Sequence, residues 1–176
     1  MRAGPVASTA GVLLVGFAIA FVVWAEPIPE LRAPAPVVFV CRNGVAMSVW
    51  SAAYFNRLAE ARGIRERAIA RASIPSFTEV PWNMTLGLAL DGFRLDGCRP
   101  HVVSADDVRS ATLVVNIDTE MPPDARPDDA RTEVWNGFPP MREQYFPSRK
   151  ALKAKVEALV ARLSGPGDAT AAARRP

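Results

Sequence analysis

Cysteine and histidine are scarce in this chain. Its 176 residues include two cysteines, Cys41 and Cys98, and one histidine, His101. One histidine excludes a histidine metal cluster and gives no basis for a Cys/His dyad, so it reads as a surface residue. No metal site and no cofactor is implied. Two cysteines are too few for a disulfide scaffold. Charge is also thin, at 22% of residues with a formal net value of +3. No dense Lys/Arg stripe interleaved with aromatics is present, which argues against a nucleic-acid partner. Arg174-Arg175 reads as a solvated tail end. No internal repeat is visible. Proline, by contrast, is abundant, at 16 residues that cluster between elements. Apolar residues make up 49%, enough for a packed core in one ordinary domain.

The longest stretch without charge runs from Arg2 to Glu26. Within it, Gly11 to Ala25 (GVLLVGFAIAFVVWA) is almost wholly apolar. Val23-Trp24-Ala25 has small residues at the −3 and −1 places of a cleavage site, so residues 1–25 read as a secretory signal peptide. The 15-residue apolar core falls short of the ~20 residues that span a bilayer, but with Ala3 to Ala10 added it would serve as an uncleaved anchor. Either of these readings predicts an exported chain, periplasmic or secreted; a buried helix is the remaining alternative. A membrane contact is expected only if the segment stays. Two cysteines in an oxidising compartment invite a disulfide, but the topology below sets Cys98 at the sheet edge opposite Cys41.

Residues 26–36 (EPIPELRAPAP) form a Pro-rich linker with no strand or helix period. Val37 to Cys41 is a continuous apolar run, the pattern of a strand buried on both faces. Ala46 to Arg62 reads as a helix, with Trp50, Tyr54, Leu58 and Ala61 recurring along one side and Gly63 as its stop. Further strands are expected at Ala68–Ala72, Leu113–Ile117 and Thr132–Trp135. Helices are expected at Asn83–Leu90, after an N-cap at Ser104, and from an N-cap at Ser148, where Leu152, Val156, Leu159, Val160 and Leu163 share a stripe. This order predicts an α/β domain over residues 37–164, three αβα layers around a four-stranded parallel sheet. Residues 165–176 are expected to be a disordered tail.

In open α/β sheets, ligands bind beyond the carboxyl ends of the strands. Cys41 ends the first strand, and residues 42–47 curl into a helix. Such a loop points backbone N–H groups inward and sits in the positive end of the helix dipole, which suits an oxyanion such as phosphate. The same field favours a thiolate nucleophile. Ser48 can donate a hydrogen bond to that sulfur and help it leave in a second step.

VFVC-RNGVA-M-S, followed by VWSAAYFNRLAEARGI, resembles the low-molecular-weight protein tyrosine phosphatases, a family that also contains one class of arsenate reductases. Their hallmark is an apolar strand, Cys, five residues, Arg, then Ser or Thr opening a helix. ATLVVNIDTEM and the stretch from Trp135 to the last helix resemble later parts of the family, so the likeness covers residues 37–164. It implies Cys41 as nucleophile with Ser48 as its helper. Arg42, Asn43, Gly44, Val45, Ala46 and Met47 become the phosphate-binding loop. The implied partner is phosphate or a phosphorylated small molecule or protein.

Three positions depart from the family pattern. Met47 stands where the family's arginine clamps the phosphoryl group with a bidentate fork. Losing such a clamp costs about 3–5 kcal/mol of transition-state stabilisation. Asn136 stands in the turn where the family places its general-acid Asp before proline, and Gly44 takes the place of a loop asparagine. Arg42 is one candidate substitute cation, though side chains next to the nucleophile point away from the anion; Asp118 or Glu120 is a candidate substitute acid. Trp82, Trp135, Phe138 and Tyr145 are candidate walls for an aromatic phosphoester. The expectation is a phosphate-binding scaffold with weak or lost hydrolysis. The alternatives are an active phosphatase working through phospho-Cys41 and a thiol-dependent arsenate reductase, which would need a resolving thiol near the nucleophile.

Overall fold

The computed structural model describes residues 26–27, 35–75, 77–95 and 99–164. The expected Cys98 position, the signal or anchor reading of residues 1–25 and the disordered tail lie outside these residues. Among the described residues, no helix is long and apolar enough to cross a membrane.

Four parallel strands form the central sheet: β2 (Val37–Cys41), β3 (Ala68–Ala72), β5 (Leu113–Ile117) and β6 (Thr132–Trp135), in the order β3-β2-β5-β6. All four match the strands expected from the sequence. β2 is central and wholly buried, as its unbroken run of apolar side chains requires. The chain moves from β2 outward to β3, then returns to the other side of β2 for β5. Strand order therefore reverses between β2 and β5, with Cys41 level with Ile117 and with Ala72. That reversal opens a crevice at the carboxyl ends of β2 and β5.

Helix α1 (Met47–Ala61) covers one face. Phe39 marks that face: its ring lies 6.0 Å from Phe55 of α1 and 5.7 Å from Trp135. The sheet-facing side of α1 is carried by Val49, Ala52, Phe55 and Ala59, all buried. Trp50 is buried too, but Tyr54 and Leu58 are half-buried and Ala61 is exposed, so the stripe expected from the sequence lies on the flank of the helix. The small alanines bring α1 close to the sheet, while Trp50 stacks on Tyr54 at 4.9 Å. Tyr54 Oη donates to Glu157 of α4 (Tyr145–Leu163) at 2.9 Å. Gly63, at φ +69°, ends α1 as anticipated.

The opposite face is marked by Arg71 of β3, which sits in the row of Val40 rather than that of Phe39. Arg71 is 3% exposed and reaches α3 (Ala105–Ser110), where it forms two hydrogen bonds with Asp107, Nε to Oδ2 at 2.9 Å and Nη2 to Oδ1 at 2.8 Å. Ser104 caps α3 in a reciprocal box with Asp107. Helices on both faces give the three expected layers.

Two local expectations are corrected. The last helix begins at Tyr145, after Gln144, and not at a Ser148 cap. Pro147 is tolerated inside the first turn because N–H groups there have no helical acceptor, so it does not delay the start. Ser148 is fully buried, and among the described residues its Oγ has no hydrogen-bond partner. The Pro-rich linker is also not featureless. Its first two residues form β1 (Glu26–Pro27), which pairs in parallel with β4 (Phe93–Arg94) just after α2 (Trp82–Leu90). At its other end, the Pro36 carbonyl accepts the N–H groups of Thr112 and Leu113.

Candidate functional site

The crevice between β2 and β5 holds the predicted loop. Cys41 ends β2 at 3% exposure, and α1 begins six residues later. Between them the chain turns through Gly44 at φ +64°, the left-handed region. A Cβ on Gly44 would stand 2.8 Å from the Ala72 nitrogen and 2.9 Å from its Cβ. Glycine at 44 is thus required twice, by backbone conformation and by contact with β3. The base of the loop is fixed by β3 as well: the Arg42 carbonyl accepts the N–H groups of Ser73 and Ile74 at 3.2 and 3.1 Å.

Gly44, Val45 and Ala46 are buried, yet among the described residues no backbone carbonyl accepts from their N–H groups. Donors without a backbone acceptor at the start of a 15-residue helix that has no side-chain cap make a place for an anion, and Val45 and Ala46 line the cavity that opens over the loop. Beside them, Cys41 Sγ lies 3.1 Å from Ser48 Oγ, as needed for a hydroxyl that stabilises a sulfur anion. The pair is buried, and both atoms belong to elements packed in the core.

A cavity of about 250 Å³ opens over the loop, lined by Cys41, Arg42, Asn43, Val45, Ala46, Met47, Asp118 and residues 140–143. Met47 lies in this wall, half-buried, and brings neither charge nor donor. Arg42 is exposed and lines both this cavity and a neighbouring one of about 580 Å³. The second cavity adds Ser73, Ile74, Thr119, Glu120 and Asn136. Of the two carboxylates proposed as substitute acids, Asp118 borders both cavities and Glu120 only the larger. Asp118 is already engaged: at φ +46° it accepts the Gly137 N–H on Oδ1 at 2.7 Å and the Phe138 N–H on Oδ2 at 2.9 Å.

The aromatic wall does not form around the Cys41 cavity. Trp135 is buried beside Phe39 in the core, and the Tyr145 hydroxyl donates to Asp91. Trp82 is exposed on α2, and Phe138 is engaged through its backbone by Asp118. Burial and the hydrogen bond to Asp91 push the Tyr145 hydroxyl far above the ordinary phenol range. The walls come instead from Pro140, Met141, Arg142 and Glu143, which carry no motif of their own. The only available signal was the Pro139-Pro140 turn after β6. The Ser73 and Thr119 hydroxyls, 2.6 Å apart in the larger cavity, were likewise not foreseen. His101 is half-exposed, and its carbonyl accepts from Ala72. Among the described residues, no group of three or more His, Cys, Asp or Glu is placed to hold a metal ion.

Solved structures share this architecture. A low-molecular-weight protein tyrosine phosphatase from Bacillus subtilis superposes with a TM-score of 0.64 at 15% identity, over 74% of this chain and 97% of that one. One from Vibrio cholerae gives 0.63 at 11% identity, over 76% and 99%. An arsenate reductase from Archaeoglobus fulgidus gives 0.54 at 22% identity, over 73% and 98%. The fold is that of the low-molecular-weight phosphatases and arsenate reductases. No family model matches the sequence, and no curated protein does. At these identities the likeness carries the fold, while the chemistry must be argued from the residues of the loop.

Proposed function

We propose that residues 41–48 form an anion-binding loop for phosphate or a phosphomonoester, and that phosphomonoester hydrolysis by this chain is weak or lost. The observation that carries the reading is the turn Gly44-Val45-Ala46, buried residues whose N–H groups meet no backbone carbonyl among the described residues, set between Cys41 and its partner Ser48. Three donors and a helix N-terminus recognise a tetrahedral oxyanion without any side-chain cation.

Hydrolysis asks for more. Attack by Cys41 Sγ on phosphorus breaks the P–O bond, and the leaving oxygen needs a proton. Water then cleaves the S–P bond, with Ser48 stabilising the departing sulfur. Charge on the equatorial oxygens calls for a fork of donors where Met47 stands. The leaving oxygen calls for an acid where Asn136 stands, and Asp118 already accepts two backbone N–H groups. Binding is therefore retained while the two groups that lower the barrier are missing.

The test measures phosphate binding by calorimetry and aryl phosphate hydrolysis from mildly acidic to neutral pH, on the full chain. Binding without turnover is expected. Met47→Arg should raise hydrolysis by about 10²–10³-fold, the scale of one oxyanion donor. Robust hydrolysis by the unmodified chain that disappears in Cys41→Ser would establish the active-phosphatase alternative instead.

A further inference from the structure

Helix α2 is apolar on two sides, and only one is covered. Met84, Gly87 and Leu88 are buried against the domain. Trp82, Leu86 and Leu90, spaced i, i+4 and i+8, lie on the outer side with exposures of 78%, 53% and 56%. The start of α4 lies alongside, because a Cβ on Gly87 would meet the Tyr145 ring at 2.4 Å. Phe146, 60% exposed, stands edge-on to Tyr145 with ring centroids 5.6 Å apart. An exposed cluster of this size on a small domain marks an interaction surface.

Its rim is basic. Arg149 lies 6.0 Å over the Phe146 ring, and Arg57 and Lys153 border the same cavity as Leu90. At the other end, Asn83 Nδ2 donates to the Arg142 carbonyl. Two of these cations are paired, Arg149 with Asp91 at 3.0 Å and Lys153 with Glu157 at 3.6 Å, so three cations face two carboxylates here; Asp91 also accepts from Trp50 and Tyr145, and Glu157 from Tyr54.

The N-terminal chain joins the domain at this surface. β1 pairs Glu26 with Phe93, three residues beyond Leu90. What precedes Glu26 is the uncharged apolar stretch Gly11 to Ala25.

We propose that this face docks on a lipid bilayer, with α2 lying in the headgroup region beside the point where residues 11–25 enter the membrane. Trp and Leu facing outward on a helix with Arg and Lys at its edge is the composition of an interfacial helix. The small positive excess of the rim, three cations against Asp91 and Glu157, complements anionic phospholipid. The β1–β4 pairing tethers the face within a few residues of the apolar segment, so its contact with lipid is intramolecular once that segment is inserted. This docking rests on the anchor reading of the N-terminal segment, in which Ala3 to Ala10 extend the 15-residue apolar core and no cleavage follows Ala25; for so short an anchor a second contact makes the attachment stable. Because Asn83 holds Arg142, which lines the Cys41 cavity, that cavity would open close to the bilayer. None of this depends on whether the loop turns over phosphate.

The test reconstitutes the full chain carrying Trp24→Phe into phosphatidylcholine vesicles with a minority of phosphatidylglycerol, with plain or brominated acyl chains. Trp50 and Trp135 are buried, so Trp82 is the exposed reporter, and its emission is isolated by comparison with the Trp24→Phe, Trp82→Phe double variant. The expected result is blue-shifted Trp82 emission quenched by brominated lipid, with weaker quenching when phosphatidylglycerol is omitted. Leu86→Glu with Leu90→Glu should abolish the quenching while the chain stays on the vesicles through residues 11–25. Trp82 quenched by iodide and untouched by brominated lipid would overturn the proposal. So would Trp82 shielded from both, which means that a protein segment covers the face, or a full chain that does not remain with the vesicles.

Discussion

Asp118 reaches across the carboxyl end of the sheet to hold the turn after β6, its Oδ1 accepting the Gly137 N–H at 2.7 Å and its Oδ2 the Phe138 N–H at 2.9 Å. One side chain after β5 thereby fixes the turn in which Asn136 replaces the expected acid, and it does so from a left-handed backbone at φ +46°. Asp118→Asn puts an amide donor opposite one of two N–H donors. About 1–2 kcal/mol of stability should be lost, with faster amide exchange at residues 136–138. Phosphate affinity should change little if Asp118 is structural. A large fall in residual hydrolysis at unchanged stability would instead make it the acid.

Gly44 is the most constrained position of the loop. Gly44→Ala adds a Cβ at 2.8 Å from the Ala72 nitrogen and forces a non-glycine residue to φ +64°. A left-handed non-glycine residue costs about 1–3 kcal/mol before the clash is added. Phosphate binding measured by calorimetry should disappear even at temperatures where circular dichroism shows the variant folded. Full retention of binding would mean that the N–H groups of residues 44–46 do not hold the anion.

How much of this was readable beforehand depended on the range of the interaction. Val37–Cys41, Leu113–Ile117 and the loop up to Ser48 are local patterns, and each folds as its own residues dictate. Contacts set by tertiary structure were hidden. Nothing near Arg71 in AIARA announces Asp107, 36 residues on, and nothing near Asp118 announces two N–H donors at 137 and 138. The Ser148 cap failed because Pro147, which often ends helices, is compatible with a first turn. Helix α1 misled in a different way: Tyr54 and Leu58 of the expected stripe lie on its flank, whereas Val49, Ala52, Phe55 and Ala59 make the contact.

Ser148 supplies a test of that correction. Inside the first turn of α4, its buried Oγ has no partner among the described residues. Ser148→Ala removes an unsatisfied hydroxyl and introduces a better helix former, so it should stabilise the fold by about 1 kcal/mol. A true N-cap would lose about that amount on the same change. Chemical denaturation distinguishes the two signs.

The Arg71–Asp107 pair should govern acid stability. Burial alone would raise the Asp107 carboxyl, but hydrogen bonds from Arg71 and Ser104 outweigh it and bring the group below its ordinary value of 3.8. A folded value below the unfolded one means that the folded state binds the proton less well. The stability from this group is therefore fully present above pH 3.8 and is lost as the pH falls from there through the depressed folded value. Asp107→Asn should lower stability at neutral pH by about 3–5 kcal/mol, because Arg71 is left buried beside a neutral group. It should also flatten the acid limb of the stability profile relative to the unmodified chain. Parallel acid limbs in urea denaturation series would show that other carboxylates, and not Asp107, control unfolding in acid.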